Sequence, residues 1–233
     1  MQEEGVIRFD LQFTESEPVA GATIAELDAW RRVLWQLELI GQNPDRYGGF
    51  GYGNVSQRIG RANLPAGRRR FVISGTQTGK LRELDVDHYS IVNAYDPARN
   101  HVEAEGPVKP SSESLTHGVI YDLDPSIRVV LHVHSPDIWQ QAPGLQMPVT
   151  DAGVEYGTPA MAGEVRRLYH ASGSIHTGIF SMGGHPDGIV SFGMSAGEAG
   201  SVLLQSLAAA LAARRSSGSH MNQEKETDSY GQR

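Results

Sequence analysis

Apolar positions along the chain repeat with two periods. Between Thr23 and Gly41, Ile24, Leu27, Leu34, Leu37 and Ile40 recur at the spacing of one helix face. An amphipathic helix is predicted there, opened by Thr23 and Glu26 as a capping box and stopped at Gly41. KPSSESLTHGVIYDLDP predicts a second helix, with Ser111 or Ser112 as cap, Leu115, Val119 and Leu123 on one face, and Pro125 as its end. A third is expected after Ser195 and Glu198, another capping box, in the Leu- and Ala-rich run to Arg215. FVIS (71–74), SIVNAY (90–95), IRVVLHVH (127–134) and GIVSFG (188–193) read as strands, with DPARN (96–100) as a hairpin turn. NPDRYGGFGYGNVSQRIG (43–60) reads as a Gly-rich stretch. Helices and strands mixed in this order predict an α/β or α+β fold with helices on a central sheet.

Composition narrows the chemistry. The 233 residues, 39% hydrophobic, suit one globular domain. Residues 1–20 are read as an irregular N-terminal segment, 21–215 as the domain and 216–233 as a polar, disordered tail. The tail contains GSHM, which looks like a cloning remnant, so His220 is set aside. A net charge of −7 argues against nucleic acid and anionic membranes as partners. No cysteine is present, so a metal must be held by His and carboxylates. The acidic N-terminus and the lack of a long uninterrupted apolar run predict neither a signal peptide nor a membrane span, and a cytoplasmic location is expected.

The candidate chemistry centres on VVLHVHS (129–135). Strand side chains alternate faces, so Ile127, Val129, Leu131 and Val133 point one way and Val130, His132 and His134 the other. Same-face neighbours lie ~6.5–7 Å apart, which lets two imidazoles converge on one ion. Taken alone, the pair reads more often as hydrogen-bonded or solvent-facing histidines than as metal ligands. Glu113 begins the preceding helix, and a strand returning antiparallel through the short DP turn brings its histidine end back toward that carboxylate. The helix start, with Ser111 and Ser112, is a place to hold an anion. GYGNVS, with Asn54, is a weaker one.

Taken in order, GNVSQR (53–58), ISGTQTGKL (73–81), KPSSES (109–114) and LHVHS (131–135) resemble the class II aldolase/adducin family over about residues 24–213, His117 and Tyr121 included. That family includes zinc-dependent sugar phosphate aldolases and epimerases. The resemblance implies a single-domain three-layer α/β/α sandwich with a central mixed, largely antiparallel sheet. It implies that His132 and His134 bind Zn2+ and that Glu113 is the catalytic acid/base. Asn54, Thr76, Ser111 and Ser112 then match the positions that hold a substrate phosphate. The family's third ligand is a histidine just before a strand-opening glycine; here GGHPDG supplies His185, with Asp187 as the substitute candidate. The implied activity is that of a metal-dependent lyase of aldolase type, acting through a zinc-stabilised enediolate next to a carbonyl of a small hydroxylated substrate, either phosphorylated or not. Epimerase, dehydratase and decarboxylase chemistry, or a non-enzymatic adducin-like module, are the alternatives, and a homotetramer is the implied assembly. The family's aldolases also use a tyrosine as proton donor; Tyr230 falls in the tail, and the sequence does not rank Tyr47, Tyr52 and Tyr121. His170 and His176 are expected at the surface, within the region 141–180 that departs most from the sugar phosphate enzymes.

Overall fold

The computed structural model describes residues 6–61, 63–171 and 178–230, with side chains as far as residue 215. In chain order the elements are β1 (Asp10–Glu15), α1 (Gly21–Gln36), β2 (Gly41–Gln42), β3 (Gly51–Tyr52), β4 (Asn54–Arg58), β5 (Phe71–Ser74), β6 (Tyr89–Asp96), β7 (His101–Gly106), α2 (Ser114–Leu123), β8 (Val129–His134), α3 (Pro136–Gln141), α4 (Pro159–His170), β9 (Ile179–Ser181), β10 (Gly188–Gly193) and α5 (Ala196–Tyr230). Eight strands form one sheet in the order β1-β7-β6-β5-β4-β8-β10-β9. Only β1 and β7 run parallel; the other neighbours are antiparallel.

Helices cover both faces, so the expected three-layer α/β/α sandwich with a largely antiparallel sheet is present. On one face α2 and α4 set Leu115, Val119, Ile120, Met161, Val165 and Leu168 against Phe71, Val92, Val130 and Phe192. On the other, α1, α3 and α5 set Leu27, Leu34, Ile138 and Leu203 against Val55, Val72, Leu131, Val133 and Ile189. Strand β8 feeds both cores by alternation, as the sequence predicts: Val129, Leu131 and Val133 on one side, Val130 and the two histidines on the other. Ile127 departs from that reading and packs with the α2 core, because it precedes the strand and its pleat.

Several local expectations are corrected. Helix α1 begins at Gly21, and the Thr23 N–H donates to the Ala20 carbonyl at 2.9 Å, so no Thr23 capping box forms. The helix ends at Gln36, well before Gly41. Glu38 takes the left-handed conformation (φ 58°), while Leu39 N–H donates to Leu34 O at 3.0 Å and Glu38 N–H to Trp35 O at 3.0 Å. This is a Schellman termination with Glu where Gly is usual, closed by the buried Leu34 and Leu39. Neither Ser111 nor Ser112 is the N-cap of α2; Glu113 holds that position. Ser195 does cap α5, accepting from the Glu198 N–H at 3.1 Å, but the Glu198 carboxylate reaches one residue further back, to the Met194 N–H.

The Gly-rich stretch 43–60 contains β4, a central strand whose buried Asn54, Ser56 and Arg58 hid it from an apolar-alternation reading. Helix α4 lies outside the elements expected from the sequence, although Thr158 caps it, Pro159 opens it and Met161, Val165 and Leu168 mark its buried face. Helical backbone in α5 continues to Tyr230, into the segment expected to be a tail. By length and composition alone Ala196–Arg215 could cross a membrane. In this fold its Ala199, Leu203 and Ala210 pack on the sheet as a core helix.

Leu131 is fully buried on the face away from the histidines. Leu131→Ala is therefore expected to cost ~2–5 kcal/mol of stability, measured by urea unfolding, while the histidine face keeps its arrangement.

Candidate metal centre

One end of β8 is locked from both sides. Antiparallel pairing sets Asn54 of β4 opposite His132, and Gly188 of β10 opposite His134. The Schellman end of α1 delivers the Leu39 carbonyl to the His134 N–H at 2.9 Å. Gly53, at φ +78°, lets the chain pass there: a Cβ would stand 2.7 Å from Ile40 Cγ1 and 3.1 Å from the His132 carbonyl oxygen.

His185 enters from the turn between β9 and β10, which its own carbonyl closes by accepting the Gly188 N–H at 2.9 Å. Its ring stacks on Tyr156, with centroids 4.6 Å apart and planes at 27°. His132, His134 and His185 thereby converge, each buried, with one ligand atom apiece all within 4.8 Å of one another. Asp187, the other candidate, points elsewhere: its carboxylate accepts from Tyr47 Oη at 2.6 Å and Arg46 Nη2 at 2.9 Å.

Glu113 faces the cluster, as the antiparallel return of β8 along α2 predicts. Oε1 lies 3.4 Å from His185 Nδ1 and 3.7 Å from His132 Nε2. Both carboxylate oxygens are buried without a well-formed hydrogen bond among the described residues. Burial pushes this carboxyl up, but the His132, His185 and His117 imidazoles outweigh it and hold it at about 2. Burial also holds His134 well below its ordinary value, helped by His185, His132 and Arg46. The Glu113 carboxylate is thus held in the interior by its imidazole neighbours alone, with no Lys or Arg ion pair to it among the described residues. A cation among the imidazoles would meet three ring nitrogens beside an ionised carboxylate, so the donor set fits a divalent metal bound by nitrogen ligands.

The other predicted residues gather at the same end of the sheet. Ser111 and Ser112 are buried, and Ser111 Oγ accepts the Glu113 N–H at 3.2 Å. The Thr76 N–H donates to Lys109 O at 3.0 Å, with Gly75 bridged to Pro110, so that loop lies against the start of α2. Asn54 keeps a buried Oδ1 without a hydrogen-bond partner among the described residues. His117 and Tyr121 lie behind the site, where Ser56 Oγ meets His117 Nδ1 at 2.6 Å and Tyr121 Oη at 2.7 Å. His170 ends α4 beside Tyr169, and His176 lies outside the described residues.

Sequence reasoning missed Tyr156, which lies in the divergent region, and Arg46. It named Tyr47 without ranking it; the structure sets the Tyr47 ring edge-on to His134 at 4.4 Å, and tilts the Tyr52 ring against His134 at 5.4 Å. Burial and the bond to Asp187 push the Tyr47 phenol up, so it remains a donor. A usable signal was the Tyr-Gly-Gly run, whose left-handed φ values, 52°, 68° and 77°, mark a tight turn.

Residues 45–203 match the sequence profile of the class II aldolase and adducin N-terminal domain. The chain belongs to the class II aldolase and adducin family. A relative from Hahella chejuensis, methylthioribulose-1-phosphate dehydratase, is 33% identical over 111 residues, 44% of this chain and 47% of that protein. The match thus spans about half the length of that curated relative. The fold is similar to a sugar-phosphate aldolase from Thermotoga maritima, with TM-score 0.62 and 17% identity over 83% of this chain and 94% of that one. It is also similar to L-fuculose-1-phosphate aldolase from Thermus thermophilus, with TM-score 0.58 and 18% identity over 85% and 97%. These family members share the three-layer architecture seen here.

The buried imidazoles dictate acid sensitivity. His117 is held down to about 3, chiefly by burial, and His134 is held low as well. Because the folded values lie below the unfolded value near 6.5, the unfolded chain binds more protons as pH falls through that range. Stability of the metal-free protein should fall as pH drops below 6.5 toward 3, by up to ~1.4 kcal/mol per pH unit for each ring. Urea unfolding at a series of pH values reads this; a flat profile from pH 7 to 5 would contradict neutral buried rings.

Proposed function

We propose that this chain is a metal-dependent lyase acting next to a carbonyl of a small hydroxylated, phosphorylated substrate. The observation that carries this reading is the juxtaposition of three buried imidazoles with a buried carboxylate that lacks a well-formed hydrogen bond. His132, His134 and His185 would hold the metal, with Zn2+ the best match to a tri-imidazole set. A metal so held supplies Lewis-acid polarisation of a bound carbonyl and its neighbouring hydroxyl.

Glu113, ionised and set against two of the three rings, takes a proton from the substrate and returns it, as general base and then acid. Burial of the site excludes bulk water, which keeps that proton between carboxylate and substrate. Ser111, Ser112, Asn54 and Thr76 would hold the phosphate, with the start of α2 adding N–H groups and the positive end of its dipole. Fixing the phosphate there orients the reacting carbons toward Glu113.

Two lyase reactions use this arrangement. In aldol cleavage a carbon–carbon bond beside the carbonyl breaks and an aldehyde departs; fold similarity to the sugar phosphate aldolases supports this reading. In dehydration Glu113 removes the proton beside the carbonyl and a hydroxyl leaves as water; the 33% identity to a methylthioribulose-1-phosphate dehydratase supports this one. Zinc-loaded protein offered ketose phosphates distinguishes them, since cleavage releases an aldehyde and dehydration removes one water from the substrate mass.

Glu113→Gln should lower kcat by ~10²–10⁴-fold while zinc uptake, measured by metal analysis, is retained. Retained turnover would remove Glu113 from its role. A purified chain that takes up no divalent ion at micromolar concentration would overturn the metal reading and favour a non-enzymatic module.

A further inference from the structure

We infer that Arg46, Tyr47 and Asp187 form a latch that holds His134 and His185 in metal-binding positions, an inference that rests on the metal reading above. Asp187 lies two residues after His185, in a turn closed by the Gly188 N–H to the His185 carbonyl (2.9 Å) and the Met182 N–H to the Gly188 carbonyl (2.8 Å). Its own carbonyl accepts the N–H of Ser135, the residue after His134, at 2.8 Å. Its carboxylate accepts from both Tyr47 Oη (2.6 Å) and Arg46 Nη2 (2.9 Å), two neighbours from the turn before β3. One side chain thus joins a loop some 140 residues away in sequence to the turn that carries His185.

The joint reaches the other ring as well. Tyr47 lies edge-on to His134 at 4.4 Å and to Tyr52 at 5.0 Å, with the Arg46 guanidinium 4.7 Å from the Tyr47 ring centroid. Both ends of the latch occupy left-handed backbone, Tyr47 at φ 52° and Asp187 at φ 63°. For a bulky residue such as Tyr that conformation costs ~1–3 kcal/mol and persists only where surrounding contacts over-determine it. The contacts that do so here are those to Asp187 and His134. Groups that fix the orientation of metal-binding rings typically account for about 10–100-fold of metal affinity when they are removed.

The test uses the full chain, with zinc affinity measured by competition against a chromophoric chelator and ring geometry read from the visible spectrum of the cobalt(II) form. Asp187→Gly removes both bonds while accepting positive φ; Asp187→Asn keeps the shape and the Tyr47 bond but loses the ion pair; Tyr47→Phe loses one bond. Asp187→Gly is expected to weaken zinc binding ~10–100-fold and alter the cobalt spectrum, with smaller losses for the other two. The metal-free melting temperature should stay close to that of the unaltered chain, which separates positioning from a general loss of packing. Zinc affinities within about twofold of the unaltered chain in all three variants, against the losses expected of such groups, overturn the latch alone. An affinity loss with an unchanged cobalt spectrum also overturns it. Failure of the unaltered chain to bind zinc or cobalt overturns the metal reading and the latch together.

Discussion

The register of β8 between β4 and β10 is the constraint on which the site depends. Because side chains alternate, a slip of one residue would turn His132 and His134 into the core under α1, α3 and α5 and bring Leu131 and Val133 to the site. That exchange is doubly unfavourable. Two imidazoles would be buried among Leu34, Val55, Val72 and Ile189, and the apolar side chains would meet Glu113. Both faces of the strand are fully buried, so the two cores specify the register together.

What the register concentrates at that end of the sheet is a charge problem. Glu113 loses its water, and what holds its charge in the interior is the imidazoles of His132, His185 and His117, while burial holds His134 well below its ordinary value. An arrangement of this kind stores an affinity for a cation, since a cation satisfies ring lone pairs and carboxylate charge at once. The same burial makes His134 an effective ligand, because its low value means no proton has to be displaced before coordination. The buried neutral imidazoles of His117 and His134 lose stability as they are protonated, whereas the lowered Glu113 favours its ionised form, so the metal-free site is most stable near neutral pH.

Irregular backbone does the positioning around this centre. The Schellman end of α1 turns the chain so that Leu39 reaches His134, Gly53 permits close passage beside the His132 carbonyl, and the left-handed Asp187 ends the turn that presents His185. None of these features adds a ligand. Each fixes the backbone from which a ligand projects, which matters because a site displaced by an ångström loses much of its function.

Much was legible in the sequence because it depends on local chemistry. The period of two in VVLHVH sets both rings on one face, the short DP turn brings that strand back along α2 to Glu113, and Thr158-Pro159 could have announced α4. Strand β4 was illegible because its buried positions are polar, and their satisfaction depends on partners distant in sequence: Ser56 on His117 and Tyr121, Arg58 on the carbonyls of Pro125 and Ile127. The sequence by itself determined the alternation, the helix faces and the absence of thiolate ligands. Tertiary structure decided that Asp187 turns to Arg46 and Tyr47 while His185, the ligand the family resemblance implies, joins the cluster, because that arrangement rests on a turn's dihedral angle and on partners about 140 residues away. Short-range rules read from spacing carry no information about either.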